Sequence, residues 1–252
     1  VAQPESLSSG SPQARYLPEI AEVCRRLARA VEAAASEGMA PLVLGGDHSV
    51  AVGSVSGMAR WLRRKRQRLG LIWIDAHADM NTPETSPSGN VHGMPLANCT
   101  GQGPRQLTHI GGFAPKVNPA NVALVGVREV DQLEKPHVRG SGVRAFTMRD
   151  IDERGMPAVM REAIEIASAG TGGFHVSLDI DAVDPREAPG VGTPVRGGVT
   201  YREAHLAAEM ICDSQAMTSM DVVEVNPVID ESNRTALLAV ELIMSAMGKR
   251  IL

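Results

Sequence analysis

The chain has 252 residues, 43% of them hydrophobic, and a formal net charge of −4. That length supports one substantial core, while the weak negative balance lacks the basic footprint expected of a nucleic-acid or membrane-surface binder. No apolar run reaches the length of a membrane span, and the three cysteines (Cys24, Cys99 and Cys212) form no C-x-x-C pair. A cytoplasmic protein with buried free thiols is therefore expected.

In chain order, residues 1–11 read as a polar Ser/Gly/Pro loop without a leader pattern. Helical spacing follows in Ile20, Val23, Leu27, Ala30 and Val31. A strand over 41–45 runs into Gly45-Gly46-Asp47-His48-Ser49. The basic run 63–68 sits near a helix end, where it complements the helix dipole. A strand over 70–75 leads into Asp75-Ala76-His77-Ala78-Asp79, and a Gly/Pro/Ser/Thr-rich stretch, 81–112, reads as irregular. Strands over 122–127 and 143–147 come next, then a helix through Val159, Ala163, Ile166 and Ala167. A strand over 174–180 carries Ser177-Leu178-Asp179-Ile180-Asp181 and precedes a second loop, 184–200. A helix through Leu206, Met210 and Ile211, a strand over 221–225 and a helix over about 234–247 complete the chain.

Near-continuous Val/Ile/Leu strands alternating with helices predict one α/β domain, 1–252, with a doubly wound, mainly parallel central sheet. Ligands bind such sheets beyond the carboxyl ends of the strands, where the acidic motifs fall. Both long loops begin beside those motifs and are expected to wall an active site.

Asp75, His77 and Asp79 are spaced two apart, as are Asp179 and Asp181, so each set shares one face of an extended strand end. His48 follows a Gly-Gly turn that permits close backbone approach. Aspartates with two imidazoles, and no cysteine, suit Mn²⁺ best, with Mg²⁺, Co²⁺, Fe²⁺ and Zn²⁺ also compatible. Two such ions activate water, which points to a hydrolase. A structural zinc site would want a closed set of four ligands, usually including Cys.

With G-G-D-H-S, D-A-H-A-D and S-L-D-I-D-A-V-D-P in this order, the sequence resembles the ureohydrolases, the family of arginase and agmatinase, from about Leu42 to the end. The resemblance implies an eight-stranded sheet and hydrolysis of L-arginine to L-ornithine and urea by a binuclear manganese-activated hydroxide. It implies two Mn²⁺ per subunit, one on His48, Asp75, Asp79 and Asp179 and one on Asp75, His77, Asp179 and Asp181. Asp79 is implied as general acid–base, His92 as proton shuttle and Glu224 as the guanidinium partner. Asn81, Ser86, Ser88 and Asn90 are implied to surround the α-carboxylate, and Asp131 and Glu134 to receive the α-amino group. Thr193 joins Glu224 in the substrate set. Asp47 and Asp184 are expected in turn or supporting roles rather than as ligands.

The resemblance also implies a homo-oligomer, a trimer or hexamer, and it leaves two alternatives. One is a related enzyme acting on agmatine, guanidinobutyrate or formiminoglutamate; the other is an inactive metal-binding homologue. The family's opening strand has no counterpart in the sequence given, so an incomplete sheet with a gap or exposed groove is expected.

Overall fold

The structure is a computed structural model and describes residues 8–250. Its elements are β1 (Gly10–Ser11), β2 (Ala14–Arg15), α1 (Leu17–Ser36), β3 (Leu42–Leu44), α2 (Ala51–Arg64), β4 (Gly70–Ile74), α3 (Pro95–Cys99) and α4 (Arg105–Thr108). They continue through β5 (Val122–Val127), α5 (Lys135–Gly140), β6 (Arg144–Thr147), α6 (Met148–Arg154) and α7 (Met156–Ser168). Last come β7 (Phe174–Asp179), α8 (Tyr201–Asp213), β8 (Met217–Val223) and α9 (Arg234–Ala246).

The main sheet is wholly parallel, in the order β3-β8-β7-β4-β5-β6. Strand β4 shows why it is covered on both faces. Ile72 and Ile74 enter a core with Phe146, Val159 and Leu242, whereas Leu71 and Trp73 enter a separate core with Val55, Met58 and Leu96. Side chains of a strand alternate, so a continuously apolar strand needs helices on both sides. Helix ends are set locally: Thr147 with Asp150 and Thr200 with Glu203 form reciprocal caps that start α6 and α8.

Some expectations shift. The described residues form six main-sheet strands rather than eight, and those six are continuous, with no gap. Among the described residues β3 is an edge, Leu42 and Leu44 are 39% and 71% exposed, and a cavity of about 530 Å³ lies between β3 and α1. The final strand starts at Met217, not 221, and ends before Glu224. Mixed Met/Thr/Ser residues at its start hide the apolar signature that sequence reading depends on. The stretch 81–112 is not structureless, since it holds α3, α4 and 3₁₀ turns over Val91–Gly93 and Ile110–Gly112. These segments are too short to show a helical period. Of the polar loop expected over 1–11, Gly10 and Ser11 instead form a strand, and residues 1–7 lie outside the described residues. All three cysteines are free; Cys24 and Cys99 are buried, and burial pushes both thiols up to about 12. No described helix is long and apolar enough to cross a membrane.

Candidate active site

The carboxyl ends of β3, β4, β7 and β8 meet at one cavity of about 360 Å³. Its lining includes His48, His77, Asp79, Asp179, Asp181 and Glu224. Strands β4 and β7 are hydrogen-bonded neighbours, paired Ile74 with Leu178. That register sets Asp75 and Asp179, each the next residue on its strand, side by side. His48 arrives from β3 through the Gly45-Gly46 turn, and Asp47 caps the turn that follows by accepting from Ser49 N at 2.9 Å.

His48 Nδ1 lies 3.1 Å from Asp75 Oδ2, 3.1 Å from Asp79 Oδ2 and 3.2 Å from Asp179 Oδ2. His77 Nδ1 lies 3.4 Å from Asp75 Oδ1 and 3.1 Å from Asp181 Oδ2. The two oxygens of Asp75 therefore face two different imidazoles, and the groups fall into two clusters that share this residue: His48–Asp75–Asp179 and Asp75–His77–Asp181. Asp79 joins the first. Asp179 Oδ2 faces His48, while its Oδ1 accepts from Asp181 N at 2.8 Å.

His48 Nδ1 and Asp79 Oδ2 are buried and have no hydrogen-bond partner. Such atoms are costly unless something between them compensates. A divalent cation fits: the donors are hard or borderline, and convergent. Proton affinities show the same demand for positive charge. Burial and Asp75 push Asp79 up to about 7. Burial, Asp181 and Asp75 raise Asp179 well above the usual carboxylate range, and burial with Asp75 raises Asp181. Burial disfavours a charged His77, yet Asp181 and Asp75 lift it to about 11. The same contest raises His48 well above its ordinary value. Asp75 alone moves down: burial opposes its charge, but His48 and His77 outweigh it.

Two of the proposed catalytic residues hold unusual backbone conformations, with φ of 53° at Asp79 and 64° at Glu224. Non-glycine residues avoid this region unless their surroundings enforce it, and such strain clusters at functional sites. Glu224 is held by its N–H to Gly46 O at 2.8 Å. Its Oε1 accepts from His48 N at 2.9 Å and lies 3.2 Å from His92 Nδ1. The hydrogen bond to Glu224 raises the pKa of His92, against a smaller opposing effect of burial.

The outer wall comprises Asn81, Ser86, Ser88, Asn90, Asp131 and Glu134, all of which line the cavity. Asn81 Nδ2 donates to Asp131 Oδ2 at 2.9 Å. Glu134 is buried, and its two oxygens accept from Met80 N and Asp131 N, at 2.7 and 3.2 Å. Burial raises its pKa. Thr193 also lines the cavity, where its hydroxyl donates to Asp181 Oδ2 at 3.0 Å. Asp184 stays outside, accepting from the amides of Arg186, Gly197 and Gly198.

Several supporting residues escaped the sequence reading. Trp73 stacks on His48, with ring centroids 4.1 Å apart, and its Nε1 donates to Asp75 Oδ2 at 3.0 Å. Arg128 donates to the carbonyls of Asp181, Ala182 and Val195, which ties the second cluster to the loop 184–200. Behind His48 lies a buried chain of Ser177, Asp221, His175, Ser219 and Ser54. Its signal was a period-two run of polar residues, His175-x-Ser177-x-Asp179 and Ser219-x-Asp221, in strands otherwise apolar. Burial opposes the charge on Asp221, but His175 and its hydrogen bonds hold its carboxyl below the usual range.

Comparison with known proteins agrees with this geometry. A family model described as "Arginase family" matches residues 10–248. The arginase of Bacillus caldovelox is 50% identical over 243 residues, 96% of this chain and 80% of that protein. Its native crystal structure superposes with a TM-score of 0.93 at 49% identity, covering all of this chain and 83% of that one. The Entamoeba histolytica arginase, solved in complex with L-ornithine, gives 0.89 at 33% identity, covering 99% of this chain and 83% of that one. Three strand-end motifs that meet at one cavity, and similarity along nearly the whole chain, lead to one assignment: this chain belongs to the arginase family.

Proposed function

We propose that the chain hydrolyses L-arginine to L-ornithine and urea at a pair of Mn²⁺ ions. The observation that carries this reading is the junction of two carboxylate–imidazole clusters, sharing Asp75, with a wall of neutral hydrogen-bond donors. His48, Asp75, Asp79 and Asp179 would hold one ion, and Asp75, His77, Asp179 and Asp181 the other. Four carboxylates, two imidazoles and no thiolate favour Mn²⁺ over a structural zinc. A divalent pair supplies Lewis acidity and draws a nucleophile from water near neutral pH.

The chain's own groups do the rest. Glu224 orients the guanidinium through Oε2, since Oε1 is engaged with His48 N and His92. Asp79, which lines the cavity, takes up a proton at the carboxylate oxygen not turned to His48 and passes it to the departing amine. His92 carries protons between the site and solvent. Asn81, Ser86, Ser88 and Asn90 receive the α-carboxylate. Asp131, and the negative potential of Glu134 beneath it, attract the α-ammonium. Thr193 steadies Asp181.

Agmatine lacks the carboxylate that those neutral donors suit, so arginine is preferred. The inactive-homologue alternative is disfavoured because the two carboxylate–imidazole clusters adjoin a cavity that Asp79, His92 and Glu224 also line. The protein is further read as cytoplasmic and homo-oligomeric, a trimer or hexamer. Free cysteines support the first, and exposed Leu237, Val240 and Met247 on and just after α9 support the second. After loading with Mn²⁺, urea release from L-arginine should far exceed that from agmatine. Faster turnover of agmatine would reject the substrate, and no turnover of either would reject the enzyme.

A further inference from the structure

Gly89 lies between two donors of the proposed carboxylate wall and against a part of the chain that does not line the cavity. The short hairpin β1–β2 pairs Gly10 with Arg15 and Ser11 with Ala14. Ala14 is buried in a small core with Val91, Leu107 and Ile110, which anchors the hairpin beside the loop 86–90. From there Arg15 N donates to Gly89 O at 2.9 Å. Gly89 has φ +68°, and a Cβ placed on it would lie 1.8 Å from Pro12 O. Only glycine fits under the hairpin there, for both conformational and steric reasons.

The loop is also wired internally. Ser86 Oγ accepts from Gly89 N at 3.0 Å, and Ser88 Oγ accepts from Asn90 N at 3.1 Å. A hydroxyl that accepts from the backbone retains its own O–H for another partner. Both serines therefore keep an O–H for another partner, and the backbone of Gly89 and Asn90 fixes where each hydroxyl oxygen sits.

We infer that the β1–β2 hairpin is a positioning element of the substrate site: seated on Gly89 through Pro12 and Arg15, it fixes the loop 86–90 so that Ser86, Ser88 and Asn90 meet a carboxylate. The inference rests on the assignment of those residues to the substrate's carboxylate end. The hairpin acts through Gly89 and leaves the metal clusters untouched. It thereby sets discrimination between a substrate that carries a carboxylate and one that does not.

Two variants of the full chain test this. In Gly89→Ala, KM for L-arginine rises about tenfold or more, because small displacements of positioning groups are costly. Its kcat, its Mn²⁺ content and its kinetics with agmatine stay near those of the parent. Arg15→Pro removes the donor to Gly89 O without altering the loop's sequence and shifts KM the same way. Hydrogen exchange is the readout independent of substrate: the amides of Gly89 and Asn90 exchange faster in both variants. Unchanged exchange and unchanged KM in a folded, metal-replete variant overturn the inference, as does an equal loss with both substrates. If Gly89→Ala does not fold, Arg15→Pro decides. If the parent enzyme prefers agmatine, the substrate assignment fails instead, and the exchange measurement still judges the hairpin.

Discussion

His48 and Asp221 are joined through one buried hydroxyl. Ser177 Oγ lies 2.8 Å from His48 Nε2 and donates to Asp221 Oδ1 at 2.6 Å. A hydroxyl that spends its proton on a carboxylate must accept from the imidazole. His48 therefore carries a proton on Nε2, which leaves Nδ1, facing the three aspartates, as the nitrogen a cation would use. Asp221 is secured from behind by His175 Nε2 at 2.8 Å and by Ser54. Ser177→Ala should lower metal affinity at the His48 cluster by about 10- to 100-fold, the usual cost of losing a supporting partner. A Mn²⁺ titration that resolves the two sites checks it, and unchanged affinity at that cluster contradicts the relay.

Asp179→Ala tests the shared site itself. The change removes one carboxylate from a crowded cluster and, with it, the acceptor for Asp181 N. Bound Mn²⁺ should fall below two per chain, and kcat should drop by about a hundredfold or more, on the scale of losing a major electrostatic stabiliser. Elemental analysis beside urea assays measures both, and full activity with a full complement of metal is the contrary outcome.

Glu224→Gln should separate orientation of the substrate from metal binding. The variant keeps the shape of the side chain but loses the charge proposed to pair with the guanidinium. Hydrogen bonds to charged groups contribute about 1.5–3 kcal/mol, so kcat/KM should fall roughly 10- to 150-fold. Metal content should stay at the parent level. Loss of metal in this variant would place Glu224 in a structural role.

Metal affinity should rise with pH. In the metal-free protein His77 is raised to about 11 and Asp79 to about 7, so His77 is protonated at neutral pH and Asp79 is about half protonated near pH 7. A cation must displace those protons, and each proton displaced strengthens apparent binding about tenfold per pH unit. Deprotonation of Asp79 removes its share of this dependence above about pH 7, while His77 keeps its share up to about 11. Calorimetry in buffers of different ionisation enthalpy counts the protons. Binding that is tighter at pH 6 than at pH 8 would contradict the sign.

The sequence by itself determined the architecture and the kinds of side chain gathered at the candidate site. Continuous apolar strands such as 70–74 and 122–127 can be stable only inside a parallel sheet covered on both faces. The period of two in Asp75-x-His77-x-Asp79 marks these side chains as one set, although β4 ends at Ile74 and Asp79 has φ of 53°, so strand alternation alone does not place them. Local spacing does not encode convergence from distant strands, however. Only the tertiary structure decided that Asp75 divides its oxygens between His48 and His77, because that depends on the β4–β7 register and on the turn after β3. It also decided that Asp221, an anomalous charge in an apolar strand, stands behind His48, and that a hairpin some 75 residues upstream bears on Gly89. Hydrogen bonds and close contacts between distant segments follow from packing, which no local pattern of residues records.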